Sequence, residues 1–320
     1  MKSVLFSLAL LAGLAPVAAA PLTIAVIPKG TTHEYWKSIH AGAIQAQKEL
    51  AAAGVPVTII WKGPLREDDR DQQVQVVENF IGRQVDGIVL APLDNRALVA
   101  PVEEAAEAHI PVVVVDSGLK STKPVSFIAT NNLEGGRIAA RRLGQLLGGQ
   151  GNAIMLCYAV GSASTEEREA GFLEVMKKDF PHIVLLSVDQ HAGATRDTAK
   201  SVSENLLNRY GAQVNGIFAS NESAASGMLL ALRDAGLAGG KVKFVAFDSG
   251  ETLDEGLKVG DIQGMVVQDP VKMGYLGVKT IVAAIRGEKV EPMIDTGVGL
   301  VTPANMNDPA FSALLHPPVD

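Results

Sequence analysis

The chain has 320 residues, 47% hydrophobic and 20% charged, which is too apolar for a disordered chain and long enough for one large or two ordinary domains. Its 28 basic and 35 acidic residues give a net charge of -7 with no Lys/Arg block, which argues against a nucleic-acid or anionic-membrane surface. The single cysteine, Cys157, excludes an intrachain disulfide and a cysteine-based zinc cluster.

The first element is an address. Lys2 precedes an apolar stretch over residues 4–14, and the small residues Ala15-Pro16-Val17-Ala18-Ala19 follow. This is the layout of a secretory signal peptide, expected to span residues 1–19 and to be cleaved after Ala19. Pro16 interrupts the run before it reaches the roughly 18 apolar residues of a membrane span. The expected compartment is the periplasm.

Beyond it, short apolar runs alternate with segments of helical period. Strands are expected at 22–27, 57–61, 87–91, 111–115, 125–129, 153–157, 183–188, 214–219, 242–247 and 262–267. Helical spacing occupies 34–53, 68–82, 95–108, 133–147, 165–179, 195–209 and 222–234. Continuous apolar strands between helices mean a parallel sheet covered on both faces. Ten strands would be large for one sheet, so two α/β domains of five or six strands each are expected. Asp94 is expected to cap the helix that follows it, and Ser164-Thr165 with Glu167 to form a capping box. No Pro/Ser/Gly-rich linker separates the halves.

Polar residues stand where the strands end. Asp116-Ser117 follow the run at 111–115, Asn221 follows 214–219, Asp248 follows 242–247 and Gln268 follows 262–267. Ligands of open parallel sheets bind at the carboxyl ends of strands, and carboxylates with amides suit hydroxyl groups. Helix N-capping is the other reading of any one of these residues. After the first strand come Tyr35 and Trp36, at a helix start where both cannot face the core. They suit the C–H face of a sugar ring, or else form a hydrophobic staple. Arg168 lies among Glu166, Glu167 and Glu169, either on a solvated helix face or as a fork for two hydroxyls.

Enzyme motifs fail. His33-Glu34 lacks the second histidine of a zinc protease, and there is no P-loop, G-x-G-x-x-G or G-x-S-x-G. Cys157 sits inside an apolar strand and is expected to be an inert buried thiol, while His191 has no metal partner at a recognisable spacing.

Several segments together resemble the ribose-binding-protein class of periplasmic sugar-binding proteins, which share a fold with the ligand domains of LacI-type repressors. They are Tyr35-Trp36 with Ala41-Gly42-Ala43, Ile110-Pro111-Val112 through Asp116, and Ile128-Ala129-Thr130-Asn131-Asn132 with Gly135-Gly136. Arg168-x-x-Gly171-Phe172, Phe218-Ala219-Ser220-Asn221-Glu222 and Phe247-Asp248 complete the set, and the resemblance runs from about Leu22 to about Val301. It implies two similar doubly wound α/β lobes joined by a three-crossing hinge, with the ligand in the cleft between. The lobes would be 21–130 plus 269–297 and 131–268 plus 298–320. It also implies that Tyr35, Trp36 and Asp116 bind from the first lobe, Asn132, Arg168, Asn221 and Asp248 from the second, and Gln268 from a hinge crossing.

The chain departs from that pattern at three places. Ser117 replaces an arginine, Ala194 stands near a missing aromatic, and Lys29 and His33 replace smaller polar residues. A lysine there resembles relatives that bind the furanose autoinducer-2. Lys29, His33 and Ser117 are therefore expected to bring a cation and a hydroxyl to a different part of the ligand. The expected protein is a monomeric, cofactor-free and metal-free binder of a small polyhydroxylated ligand, a sugar or polyol, delivering it to an ABC-transporter permease. The alternatives are an exported α/β sugar-processing enzyme using Asp116 and Asp248 as an acid/base pair, and a sensing rather than transporting binder.

Overall fold

The computed structural model describes residues 20–317, so the expected signal peptide lies outside the described residues. The first lobe is a six-stranded sheet of β1 (Leu22–Ile27), β2 (Val57–Trp61), β3 (Gly87–Leu90), β4 (Val112–Val115), β5 (Ser126–Ala129) and β11 (Met293–Asp295). Its helices are α1 (Glu34–Ala52), α2 (Arg70–Gly82), α3 (Val99–Glu107) and α9 (Pro270–Ile285). The second sheet has β6 (Gly151–Cys157), β7 (Ile183–His191), β8 (Gly216–Ala219), β9 (Lys243–Phe247), β10 (Gly264–Val267) and β12 (Gly299–Val301). With it go α4 (Asn132–Leu146), α5 (Ala163–Asp179), α6 (Arg196–Tyr210), α7 (Glu222–Asp234), α8 (Glu251–Val259) and α10 (Pro309–Leu315).

The strand orders, β2-β1-β3-β4-β5-β11 and β7-β6-β8-β9-β10-β12, match position for position. Pairing is parallel throughout, with Leu22 opposite Val57 at the start of β1–β2. The exception is β12, which runs antiparallel to β10 with Met265 opposite Val301. The chain moves between the sheets three times: after β5, after β10, and between β11 and β12.

The apolar runs are continuous because both faces of each sheet are covered. In β1, Ile24 and Val26 enter the core under α1 and α9, whereas Ala25 and Ile27 enter the core under α2 and α3. In β9, Phe244 and Ala246 face α6, α7 and α8, and Val245 and Phe247 face α4 and α5.

Glycines allow the helices that flank the crossings to touch backbone to backbone. A Cβ on Gly136 of α4 would stand 1.9 Å from the Arg168 carbonyl oxygen of α5, and one on Gly171 of α5 would stand 2.1 Å from that of Leu133. The first lobe repeats the arrangement, with Gly42 of α1 against Val271 of α9 and Gly274 of α9 against Ile39, each at 1.9 Å. The α4–α5 crossing therefore fixes the height of Arg168.

Two local expectations are corrected. Helix α3 starts at Val99 rather than residue 95, because Asp94 Oδ1 closes a turn on the N–H groups of Arg96 and Ala97, each at 2.8 Å. The expected capping box at Ser164-Thr165 does not form. Helix α5 starts at Ala163 after Ser162, whose side chain caps nothing. Strands β11 and β12 escape a search for apolar runs because each has three residues, and Met293 is 69% exposed.

Candidate functional site: a closed cleft between the lobes

The strand ends of the two sheets face each other across a small cavity of about 30 Å³. From the first lobe, the loop after β1 carries Lys29, which is buried with its Nζ 3.1 Å from Asp116 Oδ2. The same ammonium lies 3.4 Å from the hydroxyls of Ser162 and Ser164 in the second lobe. Tyr35 donates its hydroxyl to Asp116 Oδ1 at 2.8 Å. Burial first, and then the charges of Asp116 and Asp248, push that phenol well above its usual range, so it remains a donor.

Trp36 is at once core and cavity wall. Its ring, from the first turn of α1, is buried in the first-lobe core, meets Tyr35 edge-on, and its Nε1 donates to Glu67 Oε1 at 2.8 Å. The other oxygen of Glu67 accepts from the Tyr158 hydroxyl of the second lobe at 2.9 Å. The second lobe thus brings an aromatic ring to the cavity from the end of β6, at a different place from Ala194.

His33 works in two directions. Its Nδ1 accepts from the Tyr35 N–H at 3.2 Å as the N-cap of α1, and its Nε2 meets Glu222 of the second lobe. Glu222 is buried, and accepts as well from Arg196 at 2.7 Å and Ser226 at 2.6 Å. Burial works against both charges. For His33 the hydrogen bond and charge of Glu222 prevail, lifting the imidazole to about 9, and Glu222 is held down at about 2. A charged ring would give up the Nδ1 cap. A cap is worth about 1 kcal/mol, less than the roughly 1.4 kcal/mol of a single pKa unit, so the ring remains above its usual value.

The second lobe contributes Arg168 from α5. It stacks 3.8 Å from the ring centre of Phe247, donates Nε to Asn132 Oδ1 at 2.8 Å and Nη1 to the Ser220 carbonyl at 3.1 Å, and stands 3.6 Å from Asp248 Oδ2. Of its acidic neighbours Glu166 and Glu167 are exposed, whereas Arg168 is buried and Glu169 turns inward, accepting from the Tyr158 N–H and the Ser220 hydroxyl. Asp248 also accepts from Gln268 Nε2 at 2.6 Å and the Glu222 N–H at 3.2 Å. Burial is the largest influence on its carboxyl and holds it above the usual range despite Arg168.

Asp116 and Asp248 occupy matching places, after β4 and β9, and both have left-handed backbone, φ 64° and 69°. An aspartate tolerates that conformation better than most side chains. Neither is a helix cap, whereas Asn221 lines the cavity and also caps α7 through the Ala224 N–H. Gln268 Oε1 is buried in the cavity wall with no hydrogen-bond partner, the sole such side-chain atom among the described residues.

Lys29, His33, Tyr35, Trp36, Asp116, Arg168, Asn221, Asp248 and Gln268 line the cavity together. Ser117 and Asn132 do not. Ser117 Oγ instead accepts from the Ser164 N–H across the lobes at 3.1 Å, and Asn132 holds the Arg168 fork. Lys29 and His33 each meet a carboxylate of the protein, so neither is an unpaired cation. Glu67, Tyr158, Ser162, Ser164, Thr165 and Glu222 are lining residues that sequence reasoning missed. Glu222, beside Asn221, lay within a segment of the resemblance, and Ser164-Thr165 had been singled out only as a helix cap. Among the described residues no cluster could hold a metal ion, and no helix is long and apolar enough to cross a membrane.

Two lobes of one topology, hinged by three strands of chain and shut over a polar cavity, define a hinge-closing solute-binding protein. The family described as periplasmic binding protein domain matches residues 24–289. A carbohydrate transporter solute-binding protein from Agrobacterium radiobacter, solved with D-arabinose, is 37% identical with a TM-score of 0.87, covering 93% of this chain and 99% of that one. An ABC transporter solute-binding protein from Agrobacterium vitis with bound D-fucose is 35% identical with a TM-score of 0.87, covering 92% and 100%. The ribose import binding protein of Haemophilus influenzae is 29% identical over 285 residues, 89% of this chain and 93% of that protein. The chain belongs to the periplasmic binding protein family, as a ribose-binding-protein-like member.

Proposed function

We propose that this protein captures a small sugar or polyol in the periplasm by closing its lobes, and delivers it to the permease of an ABC transporter. The observation that carries the reading is the cavity wall itself. It combines carboxylates from both lobes with the amides of Asn221 and Gln268 and with aromatic rings, and it includes a buried acceptor, Gln268 Oε1, that no protein group satisfies. A buried acceptor without a partner costs free energy, and a ligand hydroxyl would remove that cost. Tyr35, Trp36, Asp116, Arg168, Asn221, Asp248 and Gln268 would touch the ligand, with Ser117 and Asn132 positioning their neighbours. Contacts from both lobes make a ligand bind the closed form better than the open one, and that difference drives closure.

The remaining parts of the reading follow the family. Residues 1–19 are the cleaved signal peptide, the lobes are 21–130 plus 269–297 and 131–268 plus 298–320, and the protein acts as a monomer without turnover. The relatives solved with D-arabinose and D-fucose support testing pentoses and deoxyhexoses first.

The test is a thermal-shift screen of sugar-free protein against neutral sugars, polyols, autoinducer-2 and sugar acids, followed by calorimetry and product analysis of each hit. A ligand at a hundred times its Kd adds about 2.7 kcal/mol of stability. A hit recovered unchanged supports binding and transport. A chemically altered hit supports the sugar-processing enzyme, for which the raised Asp248 carboxyl is the favourable sign. No hit across the panel rejects the sugar reading.

A further inference from the structure

The His33–Glu222 contact stands apart from the rest of the cleft because both charges are already answered by protein. Glu222 sits at the first position of α7, held on the second lobe by Arg196 and Ser226, so its place does not depend on closure. His33 belongs to the first lobe, where it immediately precedes the first turn of α1. The two are 189 residues apart and meet only because the lobes are shut. The side chain of Glu222 is 3% exposed and that of His33 18%, so the pair is shielded from water. Glu67 lies on the same side and reinforces the imidazolium, Arg196 opposes it, and Glu34, Arg66 and Asp197 line the adjoining opening. This is the arrangement of a latch: an anchored carboxylate in one jaw and an oriented donor in the other.

We infer that His33 and Glu222 form a ligand-independent latch across the cleft, which strengthens capture of every ligand by one common factor without selecting among them. The inference rests on the sugar-capture reading. It makes His33 and Glu222 positioning residues whose effect is exerted on the open–closed equilibrium, in contrast to Arg168, Asp248 and Gln268, whose hydroxyl contacts would differ from sugar to sugar. In an equilibrium of two shapes, a contact present only in the closed one multiplies all apparent affinities equally. Close charge pairs between protein surfaces show measurable coupling in double-mutant cycles.

The experiment is such a cycle on binding, using the full mature chain and every sugar that registers in the screen. His33→Asn keeps a competent N-cap for α1 but is too short to reach Glu222, and Glu222→Gln removes the carboxylate charge. Each single variant is expected to weaken all sugars by the same factor, tenfold or more, mainly through faster release. The double variant is expected to be no weaker than the poorer single variant. Losses that differ more than threefold between sugars, or single effects that multiply in the double variant, overturn the latch while leaving the sugar reading intact. If Glu222→Gln does not fold, Arg196→Met takes its place, since it loosens the anchor without touching the first lobe. It should give a smaller loss that is again equal for all sugars, and unequal losses count against the latch. A chain that binds no sugar at all fails the earlier reading, and this one with it.

Discussion

Replacing Arg168 with Met separates what this residue does for the fold from what it does for the ligand. Methionine keeps the apolar stem over Phe247 but removes the donors to Asn132 Oδ1, at 2.8 Å, and to the Ser220 carbonyl, at 3.1 Å, and the charge 3.6 Å from Asp248. Breaking one side of a buried ion pair costs about 3–5 kcal/mol when the other charge is stranded. Asp248 is not wholly stranded, because Gln268 and the Glu222 N–H still donate to it and burial already favours its neutral form. A loss of about 2–4 kcal/mol is therefore expected, or roughly 4–8 °C in Tm for a chain of this size.

The sign with pH follows from Asp248. Its carboxyl lies above the unfolded value of about 3.9, and loss of Arg168 raises it further, so the folded variant binds more protons than the unfolded chain across that window. The deficit should be smallest near pH 4 and should grow as pH rises through the raised value. For the ligand, losing even one charged hydrogen bond of about 1.5–3 kcal/mol weakens Kd by roughly 10- to 150-fold. Calorimetry on the sugar-free and sugar-loaded variant measures both quantities. A folded Arg168→Met protein whose Kd is within twofold of the parent would refute the placement of Arg168 in the ligand set.

Other consequences can be checked with the same instruments. Gln268→Leu removes both the unpartnered acceptor and its bond to Asp248, so stability should change by less than about 1 kcal/mol while Kd weakens tenfold or more; unchanged affinity would exclude a hydroxyl at that atom. Gly136→Ala should lower stability by about 1–3 kcal/mol or more and also weaken binding, because its Cβ collides with the Arg168 carbonyl at 1.9 Å. Gly82→Ala, where a Cβ meets nothing within 4 Å, should be neutral or slightly stabilising in the same melt. His33 has its imidazole raised to about 9 in the closed form against an ordinary value of about 6.5. Its contribution to capture is therefore complete below about pH 6.5 and lost as pH rises through about 9, and His33→Asn should flatten that part of the binding profile.

Local physics made much of this architecture legible. Runs such as Val112–Val115 and Lys243–Phe247 read as strands because both faces of a parallel sheet are buried, and their following aspartates stood out as polar residues at the end of apolar runs. Strands β11 and β12 did not stand out, since three residues are too few to carry a period. Asn132 and Ser117 were read as ligand contacts from the segments they sit in, yet Asn132 is occupied by Arg168 and Ser117 by the Ser164 N–H.

The sequence by itself determined the alternation of strand and helix, the two-lobe class and the strand ends at which polar chemistry gathers. Each of those depends on neighbours a few residues away. Only the tertiary structure decided which charges meet. His33 and Glu222 are 189 residues apart, Lys29 and Ser162 133, and Trp36 shares Glu67 with a tyrosine from the opposite lobe. Pairing at such separations leaves no periodic trace in the chain, because it is fixed by how two rigid sheets close on one another rather than by the spacing of residues along either.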